Sequence, residues 1–225
     1  NGLFMRFLLG LLWLAMLPQT AWPGAWPREE GQLFISSGGN FLLSDGAELP
    51  VHYDPTFYLE YGLSDLLTLG IDYHTADLGR INTGFVFGRF PLGDTGARDR
   101  FAASIGYGAR VDEFNPKETL LQGGLFWGRG YPSGWYALDY TATYGDISEE
   151  FRSKADLTWG HNYTDRWTTT LQLQTGEGFS GDVYAKINPA IIFTFNERNR
   201  VSLGAVKGLT GDEGSALKLN IWSTF

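Results

Sequence analysis

Two pairs of acid and histidine lie close together in the sequence: His52 with Asp54, and Asp72 with His74. A carboxylate that orients an imidazole is half of an acid/base or nucleophilic site, and the same nitrogen and oxygen donors suit a divalent metal ion. If a turn near Ser64 joins two antiparallel strands here, Asp54 lies opposite His74. No GxSxG elbow occurs, and a charge pair in polar surroundings also explains these residues. We therefore predict no catalytic residue, no metal site and no cofactor.

The segments that carry these residues have the pattern of β-strands. In residues 67–76, 134–144 and 167–176, apolar residues occupy every second position and polar or small residues lie between them. A period of two is typical of a strand whose two faces meet different surroundings. Such segments run about nine to twelve residues, the length that spans a bilayer as a tilted strand. They are residues 32–43, 51–62, 67–76, 80–90, 100–111, 119–128, 134–144, 151–163, 167–176, 183–195, 200–209 and 215–225.

An even number of strands indicates how the sheet closes. Antiparallel strands that close on themselves bring both chain ends to the same side and leave no edge for lipid to meet. The last segment, Leu217 to Phe225, alternates Leu, Leu and Ile with Lys218 and Asn220, and we expect it to pair with the first strand. We predict an all-β fold, a transmembrane antiparallel up-and-down β-barrel of about 12 strands, formed by residues 26–225.

The beginning of the sequence has a different pattern. Met5 and Arg6 precede an unbroken apolar run from Phe7 to Leu17. That run is too short for a membrane-spanning helix of about twenty residues, but it suits the core of a secretory signal. We predict that residues 1–25 are a signal peptide with upstream residues before Met5, cleaved after Ala21 or Ala25. No later apolar run reaches spanning length.

Composition excludes several classes of function. A net charge of −8 and a pI near 4.8 argue against binding to nucleic acid, which needs a concentrated basic surface. The absence of cysteine excludes disulfides, thiolate metal sites and a cysteine nucleophile. Thirty glycines and 16% aromatic residues favour short strands and tight turns.

The terminal "NIWSTF" and the turn patterns "YGLSD" and "YTDRW" resemble those of Gram-negative outer-membrane β-barrels, the turns being similar to those of small porin-like families. The terminal Phe225, in step with Ile221 and Leu219, carries most of this resemblance, while Ser223 departs from the aromatic residue often found there. The resemblance implies an outer-membrane location after signal-peptide cleavage, contact with lipid and lipopolysaccharide, and recognition by the barrel insertion machinery through the C-terminal strand.

Connections and aromatic residues suggest an orientation for such a barrel. Short turns near residues 64–65, 164–166 and 196–199 alternate with acidic, glycine-rich segments, and we expect the short turns to be periplasmic. Aromatic residues with apolar parity lie at the turn end of the strands, as in a membrane-interface ring. They are Tyr61, Trp127, Tyr136, Tyr163, Trp167, Phe195 and Phe225.

The opposite parity defines the expected lumen. Two interpretations remain open: an aqueous channel that filters small polar or charged solutes, or a lumen plugged by paired charges. Twelve strands enclose more space than side chains alone fill, which favours the channel, and the mostly short connections leave no obvious segment to fold inward. The predicted lumen residues are His52, Asp54, Glu60, Asp72, His74, Arg100, Arg110, Asp139, Arg152, Lys154, Asp156, Lys186, Arg200 and Lys218, with selectivity assigned above all to Asp54, Glu60, Asp72, Arg110, Lys154 and Lys186.

Other classes of outer-membrane barrel stay open as alternatives. One is a lipid-modifying enzyme, for which Asp54 and His74 are the best candidates. Another is a structural or surface-interaction barrel whose acidic loops, at residues 112–113, 149–150 and 212–213, bind cations between lipopolysaccharides. Pro55 and Pro189 fall inside predicted strands and predict a bulge or a strand boundary at each.

Overall fold

Twelve antiparallel strands form one closed barrel in the computed structural model, which describes residues 24–43, 53–76, 79–113, 117–177, 181–211 and 214–225. Neighbours in sequence are neighbours in the sheet, so the predicted fold class is confirmed. The strands are β1 (Leu33–Leu43), β2 (Tyr53–Ser64), β3 (Leu67–Ala76), β4 (Ile81–Leu92), β5 (Asp99–Asp112), β6 (Glu118–Tyr131), β7 (Gly134–Gly145), β8 (Phe151–Asn162), β9 (Trp167–Glu177), β10 (Val183–Thr194), β11 (Asn199–Thr210) and β12 (Ser215–Thr224).

The first and last strands close the barrel. Phe34 lies opposite Thr224 on β12 and opposite Glu60 on β2. Beyond the last strand, the Phe225 N–H donates to the Leu33 carbonyl at 2.8 Å, and the Leu33 N–H donates to the Phe225 carbonyl at 2.9 Å. We call this end of the barrel, with Leu33 and Phe225, the terminal end, and the opposite end the loop end.

Strand boundaries agree with the alternation in the sequence to within three residues, the largest difference being the end of β6 at Tyr131. The agreement arises because alternation persists only while one face of a strand meets an apolar environment and the other does not. In the described parts of the chain, no helix is both long and apolar enough to cross a membrane.

The two faces of the barrel differ as the parity predicts. On the outer face, Ile105 and Leu125 are 61% and 58% exposed, whereas their inward-facing neighbours Ala102 and Phe126 are buried. A continuous apolar outer surface is unfavourable in water and suits the hydrocarbon of a bilayer.

Neither proline lies at a bulge or at the first or last residue of a strand, so that expectation was wrong. Pro55 pairs with Gly39 on β1 without a shift in register. On its other side, the β2–β3 ladder starts one residue later, at Thr56. Pro189 pairs with Leu171 on β9, and the irregularity in β10 lies earlier, between Ala185 and Lys186. The proline on β10 is accommodated because the β10–β11 ladder is interrupted at its position, so the missing N–H is not needed there.

Several sequence predictions concern residues outside the described ranges. The predicted signal peptide lies there except for Gly24 and Ala25, as do His52 and the acidic pair at positions 212 and 213.

Candidate functional site: the barrel lumen

The strand register places the described members of the predicted lumen set on the inner face, opposite in parity to the exposed apolar residues. Asp139, for example, lies directly opposite Asp156, and Tyr58 lies opposite Asp72. By strand, the set is Asp54 and Glu60 on β2, Asp72 and His74 on β3, Arg100 and Arg110 on β5, Asp139 on β7, Arg152, Lys154 and Asp156 on β8, Lys186 on β10, Arg200 on β11 and Lys218 on β12.

Near the terminal end, the Glu60 carboxylate is completely enclosed by donors. It is 1% exposed, and it accepts hydrogen bonds from Arg28 Nε at 2.6 Å, from the Tyr58 hydroxyl at 2.6 Å and from Arg89 Nη1. Arg89 Nη2 also donates to the Tyr58 hydroxyl at 3.2 Å. We call Arg28, Tyr58, Glu60 and Arg89 the basal cluster. Two guanidinium groups on one buried carboxylate compensate its desolvation.

Arg28 belongs to no strand. It lies in the stretch formed by residues 24–31, called here the N-terminal segment, which precedes β1 and enters the lumen. Besides its ion pair with Glu60, its backbone N–H donates to the Thr68 hydroxyl at 3.0 Å, and its guanidinium lies 4.2 Å from the centre of the Phe34 ring. The N-terminal segment is therefore held on the wall formed by β1, β2 and β3.

Trp26 attaches the same segment to a different wall. Together with Ala25 it packs in a buried apolar cluster with Ala102 on β5, Phe126 on β6, and Trp135 and Ala137 on β7. The Gly24 N–H donates to the Asp139 carboxylate on β7. Within a few residues, the chain thus contacts the wall from β1 to β7.

Two glycines on the wall leave room for this segment. A Cβ at Gly128 would overlap the Trp26 indole, and a Cβ at Gly62 would overlap the Glu29 carbonyl. The Gly31 N–H also donates to the Gly62 carbonyl at 2.8 Å. Both positions require a residue without a side chain because another part of the chain approaches the wall too closely.

Farther from the terminal end, charged side chains are accessible to solvent. Asp72 and His74 are 43% and 40% exposed, with His74 Nδ1 4.0 Å from Asp72 Oδ1. On β8, Lys154 is 46% exposed and its Nζ lies 2.7 Å from Asp156 Oδ2. Lys154 and Lys218 also interact electrostatically with each other and with Asp72. We call Asp72, His74, Lys154, Asp156 and Lys218 the central charge group.

A third cluster lies toward the loop end, on β5 to β8. Arg110 Nη2 lies 2.8 Å from Asp112 Oδ2 and Arg110 Nη1 lies 3.8 Å from Glu118 Oε2. The same Glu118 oxygen lies 4.0 Å from Arg152 Nη1, and Glu118 Oε1 accepts a hydrogen bond from the Ser148 N–H at 2.9 Å. One ion pair lies within β5, and the other two join β6 to β5 and to β8, so they stabilise this part of the mouth without crossing it.

The turn between β7 and β8 is held to the same mouth. Asp146 Oδ1 accepts a hydrogen bond from the Thr119 N–H at 2.7 Å. This bond favours the ionised carboxylate and holds the pKa of Asp146 below its usual range.

Neutral amides and hydroxyls cover the wall from β8 to β10. The Gln174 amide donates to Gln172 at 2.8 Å, Gln172 donates to the Thr158 hydroxyl at 3.2 Å, and Asn188 donates to Gln172 at 3.5 Å. This wall offers both donors and acceptors to a passing polar solute.

The interpretation of Asp54 and His74 as a facing pair was wrong. Thr56 lies opposite His74, because the register at the β2–β3 turn is shifted by two residues from that of a turn centred on Ser64. The Asp54 carboxylate instead accepts a hydrogen bond from the Gly79 N–H at 3.1 Å. Over the described ranges, no group of three or more His, Cys, Asp or Glu side chains is arranged to hold a metal ion.

The predicted interface aromatics lie at the terminal end. Six of them are exposed on the outer surface, from Tyr61 at 40% to Tyr163 at 64%. Trp127 is half-buried, and its indole N–H donates to Asp99 Oδ1 at 3.0 Å. The six exposed residues are Tyr61, Tyr136, Tyr163, Trp167, Phe195 and Phe225.

Sequence reasoning missed four residues of the site: Arg28, Tyr58, Arg89 and Glu118. Arg89 and Glu118 have the inward parity of their strands, so extending the parity rule to every charged residue would have found them. Arg28 carries no such signal because it lies outside every strand.

No family model and no curated protein match the sequence. Similar solved structures do exist. One is the COG4313 outer membrane channel from Pseudomonas putida F1, with 11% identity and a TM-score of 0.61, matched over 92% of this chain and 100% of that one. The KdgM porin has 9% identity and a TM-score of 0.59, matched over 86% and 99%. The NanC porin has 10% identity and a TM-score of 0.56, matched over 86% and 98%. At these identities, the likeness shows a shared fold.

Proposed function

We propose that this protein is a narrow passive channel of the Gram-negative outer membrane for small polar or charged solutes. The observation that carries the proposal is the solvent exposure of the central charge group. Asp72, His74 and Lys154 lie within strands on the inner face, between the basal cluster and the loop end, and 40–46% of each side chain is exposed. A plug of paired charges would have buried them, so water reaches the interior of the barrel.

The fold supports the same proposal. The apolar outer face suits a lipid environment, while the inner face carries charged, amide and hydroxyl groups, as the wall of an aqueous channel requires. The similar structures are outer-membrane channels and porins, which is what a barrel of this size and strand number would be expected to resemble. Contact with lipid and lipopolysaccharide, insertion through the C-terminal strand and signal-peptide cleavage belong to the same proposal.

The lumen charge favours anions. Among the inner-face residues in the described ranges, Arg and Lys outnumber Asp and Glu, although the whole chain carries a net charge of −8. In the central charge group Lys154 and Lys218 are matched by Asp72 and Asp156, so the anion preference rests on the excess of Arg and Lys over the whole inner face.

Planar-bilayer conductance of the full mature protein tests the proposal. We expect discrete single-channel steps and, under a salt gradient, a reversal potential of the sign for anion preference. Lys154→Glu and Lys186→Glu should move that potential toward cation preference. Lys207→Glu is the matched control, because this lysine has outward parity near the loop end.

A structural barrel with a closed lumen is the second candidate, and one observation favours it: the N-terminal segment and the basal cluster fill part of the terminal end. If the folded, inserted wild type and its N-terminal-segment variants all show no conductance, the channel proposal is wrong. A structural role would then account better for the barrel.

A further inference from the structure

We infer that the N-terminal segment, residues 24–31, is the constriction of the channel and sets its conductance and size limit. The inference rests on the proposed channel function and assigns the limiting element within it. In many barrels a loop folded into the lumen would perform this task. Here the element is a stretch of chain that precedes the first strand and enters from the terminal end.

The segment is placed to narrow the lumen because it enters the barrel and contacts the wall from β1 to β7. Arg28 binds Glu60 on β2 and Thr68 on β3. Trp26 packs against β5, β6 and β7 through Ala102, Phe126 and Trp135. Between these two groups lies β4, where Arg89 binds Glu60 and lies 4.5 Å from the centre of the Phe126 ring. The segment therefore covers a continuous stretch of the wall from β1 to β7, and solutes must pass beside it.

The wall is built to receive the segment. Gly128 makes room for the Trp26 indole and Gly62 makes room for the Glu29 carbonyl, as described above. Pairing of Gly31 with Gly62, and of the Gly62 N–H with the Gln32 carbonyl at 2.9 Å, fixes the point where the segment leaves the wall. Three kinds of contact therefore hold the N-terminal segment in one position: an ion pair, an apolar cluster and backbone hydrogen bonds.

The segment can be released without dismantling the barrel wall. Without the Arg28 side chain, Glu60 still accepts hydrogen bonds from Tyr58 and Arg89. Without the Trp26 side chain, the strands behind it keep their ladders, because the β5–β6 and β6–β7 pairs do not involve this residue. Substitutions at Trp26 and Arg28 thus weaken the segment's attachment while sparing the sheet.

Single-channel recording of Trp26→Ala and Arg28→Ala in the full chain tests the inference. The matched controls are Trp127→Ala and Arg129→Ala, which remove the same side-chain types from the outer side of the same end; Arg129 pairs there with Asp99 at 2.6 Å. We expect each test variant to raise the conductance about twofold or more, because a mobile segment obstructs less of the cross-section. The controls should leave it unchanged. Entry of sugars of increasing size into liposomes should show a larger limit in the test variants only.

Heat-modifiable migration on gels confirms that each variant is folded before recording. Conductance in the test variants equal to wild type, with wild-type channels present, overturns the inference and leaves the channel function standing. A silent wild type with conducting test variants supports the inference strongly, since the segment would then close the lumen. Silence of wild type and all folded variants overturns the channel function itself.

Discussion

Glu60 shows how the lumen tolerates a buried charge. Its carboxylate is almost fully desolvated, and the penalty is offset by two guanidinium groups and a tyrosine hydroxyl. The same arrangement orders Arg89, whose guanidinium also lies 4.5 Å from the centre of the Phe126 ring. A single carboxylate therefore joins β2, β4 and the N-terminal segment.

Glu60→Gln should destabilise the barrel. The substitution leaves two buried guanidinium groups without their counter-charge, which costs about 3–5 kcal/mol when a buried ion pair is broken. Denaturant unfolding of the protein in detergent micelles measures the change. Asp99→Asn is the control: its ion pair with Arg129 is half-exposed on the outer surface, and removing such a pair costs much less than breaking a buried one. Equal losses for the two variants would contradict the special role of Glu60.

At the scale of elements, the N-terminal segment depends on close approach to the strands. Its backbone meets Gly62 on β2, and its indole meets Gly128 on β6. Such contacts leave no space for even one methyl group, so the strand and the segment must match each other. Backbone ladders hold the strands in place, so we expect an added side chain to displace the segment and not the strand.

Gly62→Ala should displace the segment because the added methyl overlaps the Glu29 carbonyl. Arg28, buried in the wild type, then becomes accessible, and limited trypsin digestion should cleave after it at least about tenfold faster, as expected for a segment with little local stability. Mass spectrometry of the shortened chain measures the rate. Gly123→Ala is the control, since a Cβ at Gly123 meets nothing within 4 Å. Unchanged cleavage in the Gly62 variant would show that the segment tolerates the methyl.

At the scale of the whole molecule, the ten residue pairs between β1 and β12 close the barrel, and Phe225 extends this seam. Phe225 exchanges two backbone hydrogen bonds with Leu33, and its ring is 60% exposed on the outer surface. Backbone and side chain are thus separable: the backbone hydrogen bonds extend the seam, and the ring lies exposed on the outer surface.

Phe225→Ala keeps the backbone bonds and removes the ring. We expect the variant to refold in detergent like the wild type, while its yield in the outer membrane of expressing cells falls several-fold. Heat-modifiable gel migration measures both, with the refolded sample as the control for closure. Wild-type yield in the outer membrane would rule out recognition of this ring.

The sequence by itself determined the twelve strands, their parity and the closed sheet. These features follow from a local rule: residues that face lipid must be apolar, and every second residue of a strand faces lipid. The tertiary structure decided which inner-face residues meet. It placed Thr56 opposite His74, because one turn shifts the register by two residues, and it brought Arg28, Arg89 and Glu60 together from separate parts of the chain. It also placed residues 24–31 inside the lumen, because a segment without periodicity acquires its position only from the walls that the closed barrel provides.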